Sequence, residues 1–248
     1  SVNPFTGMII TSNNIKINNA PIVKMLSERL DGREVFVEND ASAAAYGEFL
    51  AGAGRGTKNM VAITLGTGVG GGIIIDGKLF SGANLYGGEP GHTVIVYDGE
   101  QCTCGRKGCW EAYASATGLI RQTKEKMKAF PDSKMWEICN GDIDNANGRT
   151  AYDGMRAGDK AATEVVDKYH EYVACGVINV VNIFQPEVLC IGGGISKEGE
   201  TLRKPIADLC AEFNYARIAK QQTKIKVAEL GNDAGIIGAA SIYKLYRK

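Results

Sequence analysis

The stretch MVAITLGTGVGGGIIID, residues 60–76, contains two apolar segments separated by a run of glycines. Met60 to Leu65 and Gly72 to Asp76 have the apolar, β-branched composition of buried strands, so the stretch predicts strand, glycine-rich turn and strand. Asp76-Gly77 has the composition of a type I′ turn and predicts a hairpin into residues 78–80. The stretch therefore predicts two successive hairpins.

The loop GTGVGG, residues 66–71, matches the spacing G-x-G-x-x-G of dinucleotide-binding loops. That fingerprint requires a helix directly after the loop, but the strand pattern of residues 73–75 follows here, so we reject a dinucleotide site. No Gly-Lys-Ser/Thr is present, which excludes a P-loop. The backbone N–H groups and the Thr67 hydroxyl could still cradle a phosphate, and a simple tight hairpin explains the pattern equally well.

Outside this stretch, strand patterns alternate with helical ones. Ala41 to Ala51 predicts a helix with Asn39 or Asp40 near its N-cap. Residues 159–184 predict a long buried helix, which Pro186 ends. The other predicted helices are at 21–30, 202–213 and 235–246, and the other predicted strands are at 7–10, 35–37, 188–191 and 226–230. Hairpins combined with this alternation predict an α/β fold.

Glycine is the unusual part of the composition. It makes up 32 of the 248 residues, whereas an average protein has about 7%. The glycines cluster at 66–72, 82–91 and 192–194, which indicates loops where the backbone closely approaches another group. Gly192–Gly194 follows a predicted strand and could lie flat against a nucleoside, or could form only a tight loop.

The charge is balanced, with 28 basic and 28 acidic residues. A neutral chain has no basic footprint for nucleic acid, so we expect no nucleic-acid partner. No apolar run reaches the ~18 residues of a membrane span and no leader pattern opens the chain, so we expect no membrane partner and a cytoplasmic location. The chain begins at Ser1 rather than at methionine, and we expect its natural N-terminus to lie upstream.

His92, Cys102, Cys104 and Cys109 form the pattern His-x9-Cys-x-Cys-x4-Cys. Three cysteines and one histidine at short spacing fill the tetrahedral shell of a structural zinc ion. A reactive-thiol or redox centre is the competing interpretation, although Cys-x-Cys lacks the thioredoxin-type spacing. The remaining cysteines are expected to be small buried hydrophobes; they are Cys139, Cys175, Cys190 and Cys210.

Together these residues resemble the ROK family of repressors, uncharacterised reading frames and sugar kinases, which has the actin-like ATPase (ribonuclease H-like) fold. The segments that carry the likeness are, in order, ENDA (38–41), LGTGVGGG (65–72), GEPGH (88–92), CTCGRKGCWE (102–111) and GGGIS (192–196). The likeness covers essentially the whole chain. The flank Glu111–Ser115 looks most like that of bacterial glucokinases within the family.

The resemblance implies two lobes with the active site in their cleft. Residues 1–40 with 236–248 would form an incomplete small lobe with the C-terminal helix. Residues 41–235 would form the large lobe with the zinc loop and the nucleotide-binding loops. The family's first phosphate motif, of the type Asp-x-Gly-Gly-Thr, precedes all of these segments and is missing here. We therefore expect the chain as it stands to bind ATP poorly or to be inactive.

The resemblance also implies the roles of the site residues. Asp40 matches the catalytic base, and His92 would hold zinc with one ring nitrogen and a sugar hydroxyl with the other. The sugar-binding residues would be Asn14 (or Asn13 if the register slips), Asn39, Asp40, Glu89, His92 and Glu111. The nucleotide-binding residues would be Gly66, Thr67, Gly68, Gly70, Gly193 and Gly194. The metal ligands would be His92, Cys102, Cys104 and Cys109.

The implied function is the ATP-dependent phosphorylation of a hexose, glucose to glucose 6-phosphate, with ATP, Mg²⁺ and structural Zn²⁺, by a homodimer or homotetramer. One alternative is a sugar-sensing repressor of the same family, whose DNA-binding segment would lie before the region seen here. Another is a zinc-stabilised structural fragment, in which Asp40 would be a plain helix cap. The sequence leaves the preferred hexose open.

Overall fold

The computed structural model describes residues 2–10 and 17–247. Within them the strands are β1 (Val2–Asn3), β2 (Met8–Ile9), β3 (Met60–Leu65), β4 (Val69–Ile75), β5 (Lys78–Leu79), β6 (Val188–Gly192) and β7 (Lys224–Val227). The helices are α1 (Ile22–Arg29), α2 (Asp40–Ala51), α3 (Glu111–Ala114), α4 (Ala116–Ala129), α5 (Met135–Ile138), α6 (Thr150–Arg156), α7 (Lys160–Phe184), α8 (Glu200–Phe213), α9 (Asp233–Ser241) and α10 (Tyr243–Tyr246). The predicted α/β class is confirmed.

The larger sheet has the strand order β5-β4-β3-β6-β7. β5 runs antiparallel to β4, with Ile74 opposite Leu79, and β7 runs parallel to β6, with Val188 opposite Lys224. The turn between β4 and β5 has positive φ angles of 49° at Asp76 and 76° at Gly77, as a type I′ turn requires. The hairpin predicted at Asp76-Gly77 is therefore confirmed, and the parallel pair of β6 and β7 makes the sheet a mixed one.

Two predicted strands differ from the structure. Val35–Val37 is not in a strand, although its β-branched and aromatic composition favours one. Composition measures how well side chains fit a pleated surface, whereas a strand also needs a partner to pair with, and these residues pair with no strand of the described chain. The strand predicted at 226–230 is β7, which begins at Lys224 and ends at Val227.

The described chain divides into two compact units. The first unit consists of the described residues up to Ala62, Gly71–Glu89 and the described residues from Ala228 onward. The second unit consists of Ile63–Gly70 and Pro90–Val227. β3 and β4 contribute residues to both units. The lobes predicted from the sequence do not share these boundaries, and the lobe assignment stays a prediction.

In the first unit, α2 packs against α9 at very short range. A Cβ atom on Gly238 would lie 1.7 Å from the carbonyl oxygen of Ala43, and one on Gly47 would lie 2.1 Å from that of Ala234. Only glycine fits at these two positions, because any side chain would force the helices apart. The contact fixes α2, whose first residues belong to the predicted site.

In the second unit, α7 is the central helix and packs against α4, α6 and α8. Asp159 caps it, accepting a hydrogen bond from the Ala162 N–H at 2.9 Å. Burial would raise the pKa of Asp159, but the hydrogen bonds from Ala162, Ser133 and Lys134 outweigh it and lower that pKa. No helix in the described ranges is both long and apolar enough to cross a lipid bilayer.

Candidate active site

Asn39 and Asp40 lie at the start of α2. The Asn39 side chain accepts a hydrogen bond from the Ser42 N–H at 3.1 Å, so Asn39 is the N-cap of the helix. Asp40 is the first helical residue, and its carboxylate is exposed; among the described residues it accepts a hydrogen bond only from the N–H of its neighbour Ala41, at 3.0 Å. A helix start favours negative charge. The cap is therefore made by Asn39, which leaves the Asp40 carboxylate available for a reaction.

A pocket in the first unit brings Asn39 and Glu89 together. Its lining also contains Glu38, Ser42 and the glycines Gly87 and Gly88. The Tyr246 hydroxyl donates a hydrogen bond to Glu38, and burial, together with Glu38, raises the pKa of Tyr246. No role was predicted for Glu38 from the sequence. Its position beside Asn39 in the ENDA motif was the signal that could have identified it.

The four predicted metal ligands of the second unit converge. Their ligand atoms all lie within 4.8 Å of one another. Cys102 Sγ is 3.6 Å from His92 Nδ1, and Cys104 Sγ is 3.6 Å from Cys109 Sγ. Zinc–sulfur bonds of about 2.3 Å in a tetrahedron separate the ligand atoms by about 3.8 Å. The distances and the Cys₃His donor set therefore fit a zinc ion.

The thiols of this cluster differ in acidity. Burial raises the pKa of Cys109 to about 12 and also raises that of Cys102. A hydrogen bond from the Arg106 backbone lowers the pKa of Cys104, which is exposed. A metal ion would take these groups as thiolates.

The loop that carries the cysteines is held by backbone geometry and by one anchor. Gly105 and Gly108 have φ angles of 89° and 80°, which allow the chain to fold back on itself. Trp110 follows directly and is fully buried, and its Nε1–H donates to the Tyr172 carbonyl oxygen on α7 at 2.9 Å. A Cβ on Gly176 would lie 2.0 Å from the Trp110 ring, so α7 has no side chain where the indole packs.

Glu111 touches both the cysteine loop and the first glycine loop. Its Oε1 accepts a hydrogen bond from the Thr103 hydroxyl at 3.1 Å and lies 3.7 Å from Cys102 Sγ. Its Oε2 accepts a hydrogen bond from the Val69 N–H at 3.0 Å. A Cβ on Gly68 would lie 2.3 Å from Oε2, so this glycine makes room for the carboxylate.

The glycine turn at residues 66–68 rests on the start of α4. The Ala116 N–H donates to the Gly66 carbonyl oxygen at 2.8 Å, and the Thr117 hydroxyl donates to the Thr67 carbonyl oxygen at 2.8 Å. Gly66 N–H closes the turn on the Gly68 carbonyl oxygen at 3.0 Å. These bonds satisfy the carbonyl groups of the turn and fix its shape, which is what a preformed phosphate loop needs.

The second glycine loop lies against the end of β3. Gly193 has a φ angle of 87°, and a Cβ there would lie 2.5 Å from the Leu65 carbonyl oxygen. A Cβ added to Gly194 would have no atom within 4 Å other than those of its chain neighbours, so the space on that side of the backbone is open. The second unit therefore brings Gly193 and Gly194 beside the loop that contains Gly66, Thr67, Gly68 and Gly70.

For the other residues predicted from the sequence, the structure gives the degree of burial. Asn13 and Asn14 lie outside the described residues. Glu89 is exposed, and His92 and Glu111 are half-buried. Of the four cysteines expected to be buried hydrophobes, Cys175 is half-buried and the others are buried.

Comparison with known proteins gives consistent matches. The sequence model of the ROK family matches residues 1–245. Glucokinase of Halalkalibacterium halodurans is 41% identical over 243 residues, which are 96% of this chain and 72% of that protein. The xylose repressor of Caldicellulosiruptor bescii is 31% identical over 240 residues, which are 96% of this chain and 58% of that protein.

Among solved structures, the fold is similar to that of a ROK family glucokinase from Streptomyces griseus in complex with glucose and AMPPNP. The TM-score is 0.85 at 34% identity, and the match covers 96% of this chain and 77% of that chain. The expected actin-like ATPase fold is confirmed.

Proposed function

Because the chain belongs to the ROK family, we propose that it transfers the γ-phosphoryl group of ATP to glucose and forms glucose 6-phosphate. The observation that carries this proposal is its likeness to two glucokinases, one of them solved with glucose and AMPPNP. A sugar-sensing repressor is less well supported, because the repressor relative is less similar to this chain, at 31% identity, than the glucokinases are.

Asp40 is the proposed catalytic base. The sugar hydroxyl donates its proton to the Asp40 carboxylate while the hydroxyl oxygen forms a bond to the γ-phosphorus of ATP. The bond between the γ-phosphorus and the bridging oxygen of the β-phosphate breaks, and ADP is released. The exposed carboxylate at the start of α2 supports this role, since no other group of the described chain competes for it except the Ala41 N–H. Asn39 and Glu89 line one pocket, which supports sugar binding there.

The nucleotide is proposed to bind in the second unit. The turn that contains Gly66, Thr67, Gly68 and Gly70 would take the phosphates, and the open backbone at Gly194 would lie against the nucleoside. Mg²⁺ would accompany ATP and neutralise charge on the phosphates. The hydrogen bonds from α4 that fix the turn support a preformed loop.

Zinc is the proposed ion of the cysteine cluster. His92, Cys102, Cys104 and Cys109 would hold it, and an ion with four protein ligands stabilises structure. Nδ1 is the ring nitrogen of His92 that faces Cys102 Sγ, which would leave Nε2 to accept or donate a hydrogen bond with a sugar hydroxyl. Within the second unit, His92 and Glu111 would then share a sugar-binding role.

We further propose a cytoplasmic homodimer or homotetramer without a nucleic-acid partner. The balanced charge of the chain supports the last point. Light scattering of the purified protein would give the oligomeric state, and a single-subunit mass would contradict the assembly.

The experiment that tests the function is a comparison of hexoses. The protein is purified with its natural N-terminus and incubated with ATP, Mg²⁺ and glucose, mannose, fructose or N-acetylglucosamine, and ADP release and the mass of the sugar product are measured. We expect ADP release with the highest kcat/KM for glucose and a product phosphorylated at O6. Glucose binding in calorimetry without any glucose-dependent ADP release would instead support the repressor-like function.

A further inference from the structure

Within the part of the chain that the structure describes, the Glu111 side chain joins the cysteine loop (residues 102–109) to the first glycine loop (residues 66–71) through hydrogen bonds from Thr103 and Val69. The two loops are far apart in sequence, since Val69 and Glu111 are separated by 42 residues. One carboxylate oxygen faces Thr103 and Cys102, and the other faces Val69 and Gly68. The carboxylate therefore lies between a proposed metal site and a proposed phosphate site.

We propose that Glu111 is a positioning residue for the nucleotide, which acts by holding the Val69 N–H and thereby the shape of the glycine turn. The proposal rests on the proposed function, because it needs the glycine turn to bind phosphate. It goes beyond the sugar-binding role that the family resemblance implies for Glu111. It also makes the cysteine loop a support of nucleotide binding, since the Thr103 hydroxyl donates a hydrogen bond to the carboxylate and fixes its orientation.

The physical reason lies in the charge of the carboxylate and in the glycine that faces it. A hydrogen bond to a charged acceptor is roughly twice as strong as one between neutral groups. The Val69 N–H is held by this acceptor, so the turn is kept in one conformation before any ligand arrives. Without the acceptor, the turn must be ordered when the nucleotide binds, and that ordering weakens the observed affinity.

The test is the affinity of the protein for AMPPNP with Mg²⁺, measured by calorimetry. Sugar is left out, so that a sugar-binding role of Glu111 does not influence the measured affinity. Glu111→Ala removes the hydrogen bonds to both loops, and we expect affinity to fall at least about tenfold. Glu111→Gln keeps a neutral oxygen that can accept from the Val69 N–H, so it should recover part of the loss. Thr103→Val removes only the support on the cysteine-loop side and should give a smaller loss.

A matched control is Glu125→Gln, a carboxylate on the exposed face of α4 that pairs with Arg121. It should bind AMPPNP like the wild type. Hydrogen exchange supplies a second readout: the amides of residues 66–70 should exchange faster in Glu111→Ala, with zinc content unchanged. A general loss of structure would instead raise exchange throughout the second unit.

The outcomes distinguish a failure of the proposed function from a failure of the positioning role of Glu111. All variants are made in the protein with its natural N-terminus, and if the wild type of that protein binds no AMPPNP, the proposed function is wrong. If the wild type binds it and Glu111→Ala binds equally tightly, the turn does not depend on Glu111 and the positioning role is wrong. Equal losses in Glu111→Ala and Glu111→Gln would also contradict it, because a shared acceptor oxygen should matter.

Discussion

At the scale of single residues, the start of α2 separates helix capping, which Asn39 performs, from the catalytic role proposed for Asp40. Asn39 caps α2, so the helix does not need Asp40 for its first turn. Asp40 is exposed, and replacing its charge leaves the cap in place. A change at Asp40 therefore tests chemistry with little effect on folding.

In the protein with its N-terminus intact, Asp40→Asn is expected to lower kcat by roughly 10²–10⁴, the usual contribution of a positioned base, with sugar binding largely unchanged. Steady-state kinetics and glucose calorimetry measure the two quantities. Asp76→Asn is the matched control, because Asp76 is exposed in the β4–β5 turn, where asparagine is equally suitable. Wild-type turnover in Asp40→Asn would remove Asp40 from the mechanism.

At the scale of elements, the cysteine loop is expected to carry an effect from the metal to the sugar. Cys104→Ser removes one of four ligands, so the loop loses part of its tetrahedral constraint and His92 loses its fixed orientation. We expect zinc content to fall and glucose to bind at least about tenfold more weakly, although Cys104 has no proposed sugar contact.

The control for this experiment is Cys175→Ser, which changes a half-buried cysteine of α7 outside the cluster. It should keep zinc and glucose affinity, both measured by calorimetry with metal analysis. Tight glucose binding in zinc-free Cys104→Ser would show that the metal stabilises the loop without influencing the sugar site.

The elements of the site were predictable to different extents. The cysteine cluster and the α2 N-terminus follow from local patterns, because ligand spacing and capping chemistry act within a few residues. Helix α4, which supports the glycine turn, was not predicted. Its sequence is mostly polar and buries only Gly118, Leu119, Thr123 and Met127, so its periodicity is weak. The contact of Glu111 with Val69 depends on tertiary packing and has no local signal.

At the scale of the whole molecule, acid should destabilise the fold through His170. This side chain is buried in the second unit beside Tyr152, whose hydroxyl lies 3.0 Å from its Nε2. Burial lowers the pKa of His170 from 6.5 to about 4. Between these values the unfolded chain binds a proton that the folded chain does not, so stability is complete above about pH 6.5 and falls toward pH 4.

We expect the free energy of unfolding to fall by about 2 kcal/mol more between pH 7 and pH 5 in the wild type than in His170→Gln. Urea unfolding at the two pH values measures it. His92 is the one other histidine of the chain, and its contribution is common to both proteins and cancels in the difference. Equal pH dependence in the two proteins would mean that His170 is protonated in the folded state.

Because Trp110 is anchored on α7, its fluorescence should report on the conformation of the cysteine loop. The chain has two tryptophans, and in Trp136→Phe the only remaining indole would be the one that directly follows Cys109. A fully buried indole emits at shorter wavelength than one that reaches water. Loosening of the cysteine loop should therefore shift the emission of Trp136→Phe to longer wavelength, and titration with zinc should reverse the shift. Ion binding could then be followed in real time, without a label and without a substrate.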